Sequence, residues 1–132
     1  MSVVVGYVAT PEGTAALEAA VHEATSRGVR LVVVLSEKGQ RFGGEQTGLE
    51  GHADEVTRRL DATGLPFEVR RTGRGRDVAE DIIGAAVGED AELIVIGLRR
   101  RSPVGKLILG SNAQRILLDA PCPVLAVKPA QV

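Results

Sequence analysis

Aromatic side chains are nearly absent from this 132-residue sequence: they make up 2% of it, with no Trp, one Tyr and two Phe. A surface that stacks successive bases of a single strand needs aromatic platforms, so that class of function is excluded. The core must then be built from Val, Leu, Ile and Ala. Cysteine occurs once, as Cys122, which rules out an internal disulfide and leaves no metal-ligand spacing. Neither sign of charge dominates. The formal net charge is −1, so no global field draws in nucleic acid or membrane, and neither is an expected partner. No apolar run approaches the roughly 20 residues that span a bilayer. The stretch MSVVVGYVATPEG lacks the basic lead and small-residue cleavage site of a secretory signal. The expected compartment is the cytoplasm.

What is present is an ordinary globular balance, 44% apolar and 25% charged, at a length that suits one domain, 1–132, with one core. Short β-rich runs alternate with helical patterns. The runs are Ser2 to Val8, Val29 to Ser36, Phe67 to Thr72, Glu92 to Gly97 and Cys122 to Lys128. The first, second and fourth are continuously apolar, as in strands covered on both faces. The third alternates and the fifth follows Pro121 and Pro123, both habits of edge strands.

Between them, Thr10-Pro11 reads as an N-cap with Pro at the first helical position, and Gly28 as a stop. Leu17, Val21 and Ala24 form the stripe of that first helix. Leu49, Ala53, Val56 and Leu60 mark a second helix. Asp77 with Glu80 resembles a capping box before Val78, Ile82 and Ala86, with Gly88 as the end. Ser111 with Gln114 has the S-x-x-Q capping pattern, followed by Ala113, Ile116 and Leu117 on one face. The resulting βαβαβαβαβ order predicts an α/β fold with a parallel sheet and helices on both faces. Ligands in such sheets bind outside the carboxyl ends of the strands, where the strand order reverses. The Gly-rich stretch from Ser36 to Gly51 reads as a loop or lid.

The chemistry-bearing stretch is GLRRRSPVGKLILGSN, Gly97 to Asn112. Free amides and the positive end of a helix dipole at Gly110, Ser111 and Asn112 suit a phosphate, or form only a glycine turn with an ordinary cap. Arg99, Arg100 and Arg101 suit a polyphosphate clamp, or a solvated turn. Gly105-Lys106 is not a Walker loop, because that motif needs Gly at Arg100 and Ser or Thr at Leu107. The Gly73-x-Gly75 pair lacks the third glycine of a dinucleotide fingerprint, Val78 standing in its place. Arg70, Arg71, Arg74 and Arg76 add to a local basic patch. His22 and His52 read as surface histidines and Cys122 as a small buried residue. No catalytic set stands out. A hydrolase or phosphoryl transferase needs metal-binding carboxylates near the phosphates, and none lies in Gly97 to Asn112.

That stretch and the chain's ending resemble the universal stress protein family. The family hallmark is G-x2-G-x9-G-[ST] after the fourth strand. Gly97 and Gly110-Ser111 hold that spacing, and APCPVLAVKP, Ala120 to Pro129, is similar to the family's ending. The resemblance extends to the β/α order of the chain. It implies a doubly wound, Rossmann-like, five-stranded parallel sheet of order 3-2-1-4-5 with about four helices. It also implies an adenine nucleotide, ATP or AMP, in the crevice between the first and fourth strands. Gly97, Gly110, Ser111 and Asn112 would then hold ribose and phosphates, with Arg99, Arg100 or Lys106 neutralising charge, and Val33 and Val34 would flank adenine. A homodimer through the last strand, Val124, Leu125, Ala126 and Val127, is implied as well, since an edge strand offers unpaired N–H and C=O groups.

Two positions depart from the family pattern. Val8 stands where nucleotide-binding members carry an Asp after the first strand, and Arg100 where they carry the second Gly. Arg100 either obstructs the pocket or supplies a cation to it. The expectation is weak or atypical nucleotide binding, in a regulatory or protective role rather than turnover. The alternative is a nucleotide-free dimeric interaction module of the same fold.

Overall fold

Val, Leu and Ile crowd the runs that become strands because their branched side chains fit a pleated surface covered on both sides. The computed structural model describes residues 1–35, 48–71, 77–98 and 110–129, the side chains of 48–50 excepted. Its strands are β1 (Ser2–Tyr7), β2 (Arg30–Leu35), β3 (Phe67–Arg71), β4 (Ala91–Gly97) and β5 (Val124–Val127). Its helices are α1 (Pro11–Arg27), α2 (Gly48–Asp61), α3 (Val78–Gly88) and α4 (Ser111–Asp119). The sheet has five strands in the order β3-β2-β1-β4-β5, every pair parallel. The expected α/β class, strand order and edge placement of β3 and β5 therefore hold.

Alternation along the strands sorts the core into two layers. Val3, Val5, Tyr7, Leu31, Val33, Leu35, Leu93 and Val95 pack with Ala16, Leu17, Ala20 and Ala24 of α1 and Ala53, Val56 and Leu60 of α2. On the opposite face Val4, Val32, Val34, Ile94 and Ile96 pack with Ala79, Ile82, Ala85 and Ala86 of α3 and Ile116 of α4. Small alanines on the helices let them sit close to the sheet, which a core without large aromatics requires.

Several boundaries differ from the sequence reading, each for a local reason. α4 begins one residue earlier than its S-x-x-Q pattern suggests. Gly110 is the N-cap, its carbonyl accepting the Gln114 amide at 3.0 Å, so Ser111 is the first helical residue and caps nothing. Gly88 is the last residue of α3, as expected, but it is not a left-handed stop: Glu89 is the C-cap, and the left-handed residue is Asp90, with φ 52°. Leu117 is not on the buried face of α4; it is 42% exposed. β5 starts at Val124, after both prolines. Gly48–Gly51 open α2 rather than a loop, and the rest of the expected lid lies outside the described residues.

Two glycines let the tops of the strands close up. A Cβ on Gly13, in the first turn of α1, would lie 1.8 Å from the Val8 carbonyl oxygen. A Cβ on Gly97, at the end of β4, would lie 2.4 Å from the Glu12 carbonyl oxygen. Only hydrogen fits at either place. Gly84, within α3, has open space around its missing Cβ.

Gly13→Ala is accordingly expected to destabilise the fold by about 1–3 kcal/mol, as overpacking does. Gly84→Ala should be neutral or stabilising by about 0.5–1 kcal/mol, from helix propensity. Urea unfolding of both variants checks this, and equal losses at the two positions would contradict the packing account.

Candidate functional site

In a parallel sheet each crossover helix runs back against its strands, so the N-termini of α1, α3 and α4 gather at the carboxyl end of the sheet. β1 continues into β2 on one side and lies beside β4 on the other, which puts the switch point at the tops of β1 and β4. Three segments define that edge: the turn after β1, the end of β4 and the start of α4.

The turn after β1 is held by its own backbone. The Thr10 amide donates to the Val8 carbonyl at 2.8 Å, and the Thr10 hydroxyl accepts the Gly13 amide at 3.1 Å. Val8 is half-buried and its aliphatic side chain offers no acceptor. Gly97 is pressed against the first turn of α1, and the next amide, Leu98, donates to the Val127 carbonyl at 2.8 Å.

α1 and α3 spend a side chain on their own N-termini: Thr10 on Gly13, and Asp77 on the Ala79 amide at 2.9 Å. The N-cap of α4 is Gly110, which has no side chain to offer. Among the described residues no acceptor takes the amides of Ser111, Asn112 or Ala113. Gly110 and Ser111 are exposed and Asn112 is half-buried. This turn is an open set of donors at the positive end of a helix dipole.

Of the expected site residues, then, Gly97, Gly110, Ser111 and Asn112 lie at this edge. Arg99, Arg100, Arg101 and Lys106 lie outside the described residues. Val33 and Val34 do not end their strand, which runs on to Leu35. Val33 is fully buried in the layer under α1 and α2. Val34 faces the α3 layer, where it lines a cleft of about 330 Å³ with Arg70, Arg71, Glu80 and Asp81. Val124, Leu125, Ala126 and Val127 form the edge strand, with Leu125 36% exposed.

Arg70 has a structural task. It joins Glu68 and Glu89, and Arg30 joins the same two carboxylates, closing a ring of alternating charges between β2, β3 and the end of α3. The Arg30–Glu68 and Arg30–Glu89 contacts are 2.7 and 2.5 Å. The Arg70 guanidinium, followed by that of Arg30, holds the Glu68 carboxyl below its ordinary value. His22 is exposed as expected. His52 is not simply a surface residue: it is half-buried, and its Nδ1 is buried with no hydrogen-bond partner among the described residues. Cys122 is half-buried against the α3 layer, and burial pushes its thiol up. Among the described residues no group of three His, Cys, Asp or Glu side chains could hold a metal ion.

Sequence reasoning missed one cluster beside the edge. Arg115 of α4 donates to Asp77 at 2.8 Å and to Glu80 at 3.2 Å. These partners are separated by 38 and 35 positions in the chain, so no local spacing announces them.

Comparison with known proteins agrees with this geometry. The model of the universal stress protein family matches residues 1–128. A protein of Mycolicibacterium smegmatis named universal stress protein is 46% identical over 127 residues, covering 96% of this chain and 97% of that one. The structure of a universal stress protein from Archaeoglobus fulgidus is 34% identical, with a TM-score of 0.75, covering 97% of this chain and 98% of that one. A structure of the Archaeoglobus fulgidus universal stress protein in complex with dAMP is 27% identical, with the same TM-score and the same coverage.

The ionic ring gives a pH dependence. Glu68 has a lower pKa folded than unfolded, so its contribution is present above the ordinary carboxylate range and lost as pH falls through the folded value. Glu68→Gln is expected to lower stability at neutral pH by roughly 1 kcal/mol. Wild type and variant should converge on the acid side of 4.5, the ordinary Glu value. Denaturant melts across pH check this; a constant gap down to strong acid would contradict it.

Proposed function

The chain belongs to the universal stress protein family, and from that premise we propose that it binds an adenine nucleotide, ATP or AMP, at the tops of β1 and β4. The observation that carries the reading is the first turn of α4. Its Gly110 and Ser111 are exposed, it has no side-chain cap, and it stands at the switch-point edge. A relative of the same fold is known in complex with dAMP. The phosphates rest on the amides of Ser111 and Asn112, with Arg99, Arg100 or Lys106 neutralising their charge. Gly97 and Gly110 let backbone approach the ribose and phosphates, and the end of β2 beyond Val33 and Val34 flanks the adenine.

Val8 changes how the ligand is recognised. Its side chain accepts no hydrogen bond, and its carbonyl already takes the Thr10 amide. Recognition therefore leans on the phosphate end rather than on a side chain after β1. Such a site binds and reports a nucleotide, in a regulatory or protective role in the cytoplasm.

The same proposal covers assembly. β5 is an edge strand of sequence VLAV with Leu125 partly exposed. Two copies pair through Val124 to Val127 about a two-fold axis.

A second reading, a dimeric interaction module that holds no nucleotide, is favoured by Val8 and by Arg100, which stand where the family pattern has Asp and Gly. Calorimetry with AMP and ATP separates the two. Ser111→Pro is the sharp variant, because Pro is well tolerated at the first helical position but removes one amide donor. It is expected to keep the melting temperature and to weaken AMP binding by about 1.5–3 kcal/mol, the worth of a hydrogen bond to a charged group. Arg100→Ala strengthens binding if Arg100 obstructs the pocket and weakens it if Arg100 supplies a cation. No heat with either nucleotide at millimolar concentration would leave the interaction module standing. Sedimentation of Leu125→Arg tests the pairing: wild type should be dimeric and the variant monomeric, and an unchanged mass would reject β5 as the interface.

A further inference from the structure

We infer that Arg115 is the positioning residue for the phosphate end of this site, clamping the first turn of α4 to α3. The inference rests on the nucleotide reading for what that turn binds, but not for the clamp itself.

α4 has little else to hold it. Of its nine residues only Ile116 is fully buried, while Leu117 and Leu118 are 42% and 83% exposed. Its N-cap is a glycine without a side chain. Ile116, with the half-buried Ala113 beside it, fixes one part of a short helix but not its tilt. Arg115 lies one turn in from Ser111 and supplies the second point. Its Nη1 donates to Asp77 Oδ2 at 2.8 Å and its Nη2 to Glu80 Oε2 at 3.2 Å, while its Nε stands 3.8 Å from Asp119 Oδ2. A planar guanidinium reaching two residues of another helix fixes direction as well as distance. The receiving residue is itself fixed, because the Asp77 side chain also accepts the Ala79 amide and caps α3. α3 in turn is seated by Ala79, Ile82, Ala85 and Ala86 on the sheet. The chain of support therefore runs from the sheet through α3 and Asp77 to Arg115, and from Arg115 to the amides of Ser111 and Asn112.

The same contacts have an electrostatic side. Asp77, the N-cap of α3, and Glu80, in its first turn, stand at the end of the sheet where α4 begins. Arg115 offsets them. Without it these carboxylates face an incoming phosphate uncompensated, while an uncharged nucleoside meets no such penalty. A residue that only stabilised the fold would affect both ligands alike.

The test uses the whole chain as Arg115→Gln and Arg115→Lys. In the nucleotide-free protein, amide hydrogen exchange of Ile116 to Ala120 is expected to speed up about tenfold in Arg115→Gln, with β1 and β4 unchanged, as for a local opening. Titration should show AMP binding weakened about tenfold and adenosine binding unchanged, as expected for loss of a charge-assisted arrangement. Arg115→Lys, which keeps the charge but not the fork, should restore part of both. Unchanged exchange in α4, or equal weakening of AMP and adenosine, would overturn the inference. If wild type binds neither ligand, the nucleotide reading fails and the exchange experiment alone decides on Arg115.

Discussion

The arrangement depends on one constraint: three stretches of backbone must meet at the top of the sheet with no side chain between them. The Val8 carbonyl, the first turn of α1 and the end of β4 are in contact because Gly13 and Gly97 carry only hydrogen. The two glycines act in series. Gly13 brings α1 down onto the turn after β1, and Gly97 brings β4 up against that same first turn. With methyl groups there, α1 would stand off the sheet and the tops of β1 and β4 would separate. The first glycine of the family hallmark thus has a packing duty in this chain, whatever it also does for a ligand.

A second constraint concerns the two open edges. Any five-stranded open sheet ends in two strands with unpaired N–H and C=O groups, and a chain that could pair at both would grow without limit. Here the edges are unlike. β3 reads FEVRR, and Glu68 and Arg70 are locked with Arg30 and Glu89 into an ionic ring. β5 reads VLAV and has no charge at all. Burying β3 under another strand would desolvate that ring, whereas β5 loses nothing by being covered. The proposed pairing through β5 about a two-fold axis would use the uncharged edge and close at two copies.

The legible part of this molecule was its layering. Continuous apolar runs marked β1, β2 and β4, alternation marked β3, and Thr10-Pro11 and Gly28 marked both ends of α1, because those signals are local and each has a backbone cause. The misplaced boundaries share a reason too. Ser111 has the right hydroxyl for a cap, but Gly110 takes the cap position and pushes Ser111 into the helix. Gly88 does close α3, but the left-handed turn beyond it belongs to Asp90 rather than to the glycine. Leu117 fits the helical period, but α4 packs chiefly against α3, so its buried stripe is narrower than the period suggests. The Arg115 cluster and the ionic ring were not legible at all. They join residues far apart in sequence, and their members look like ordinary surface charges until the helices are docked.

The charge layout at the site follows from these contacts. All four crossover helices begin at this end of the sheet, and each brings the positive end of its dipole. In α1 and α3 that end is already occupied by Thr10 and Asp77. The acidic first turn of α3, Asp77 with Glu80 and Asp81, would otherwise make this edge hostile to anions. Arg115 answers two of those carboxylates and in doing so is itself neutralised, so it is not the phosphate ligand. Among the described residues, the N-terminus of α4 is left with amides that no acceptor takes. An anion there meets donors whose direction is set by backbone rather than by flexible side chains, and it does so beside a turn in which Val8 contributes shape but no polar group. Under the nucleotide reading, selectivity at such an edge would come from the charge and reach of the phosphate, with the base contributing mainly through contact area.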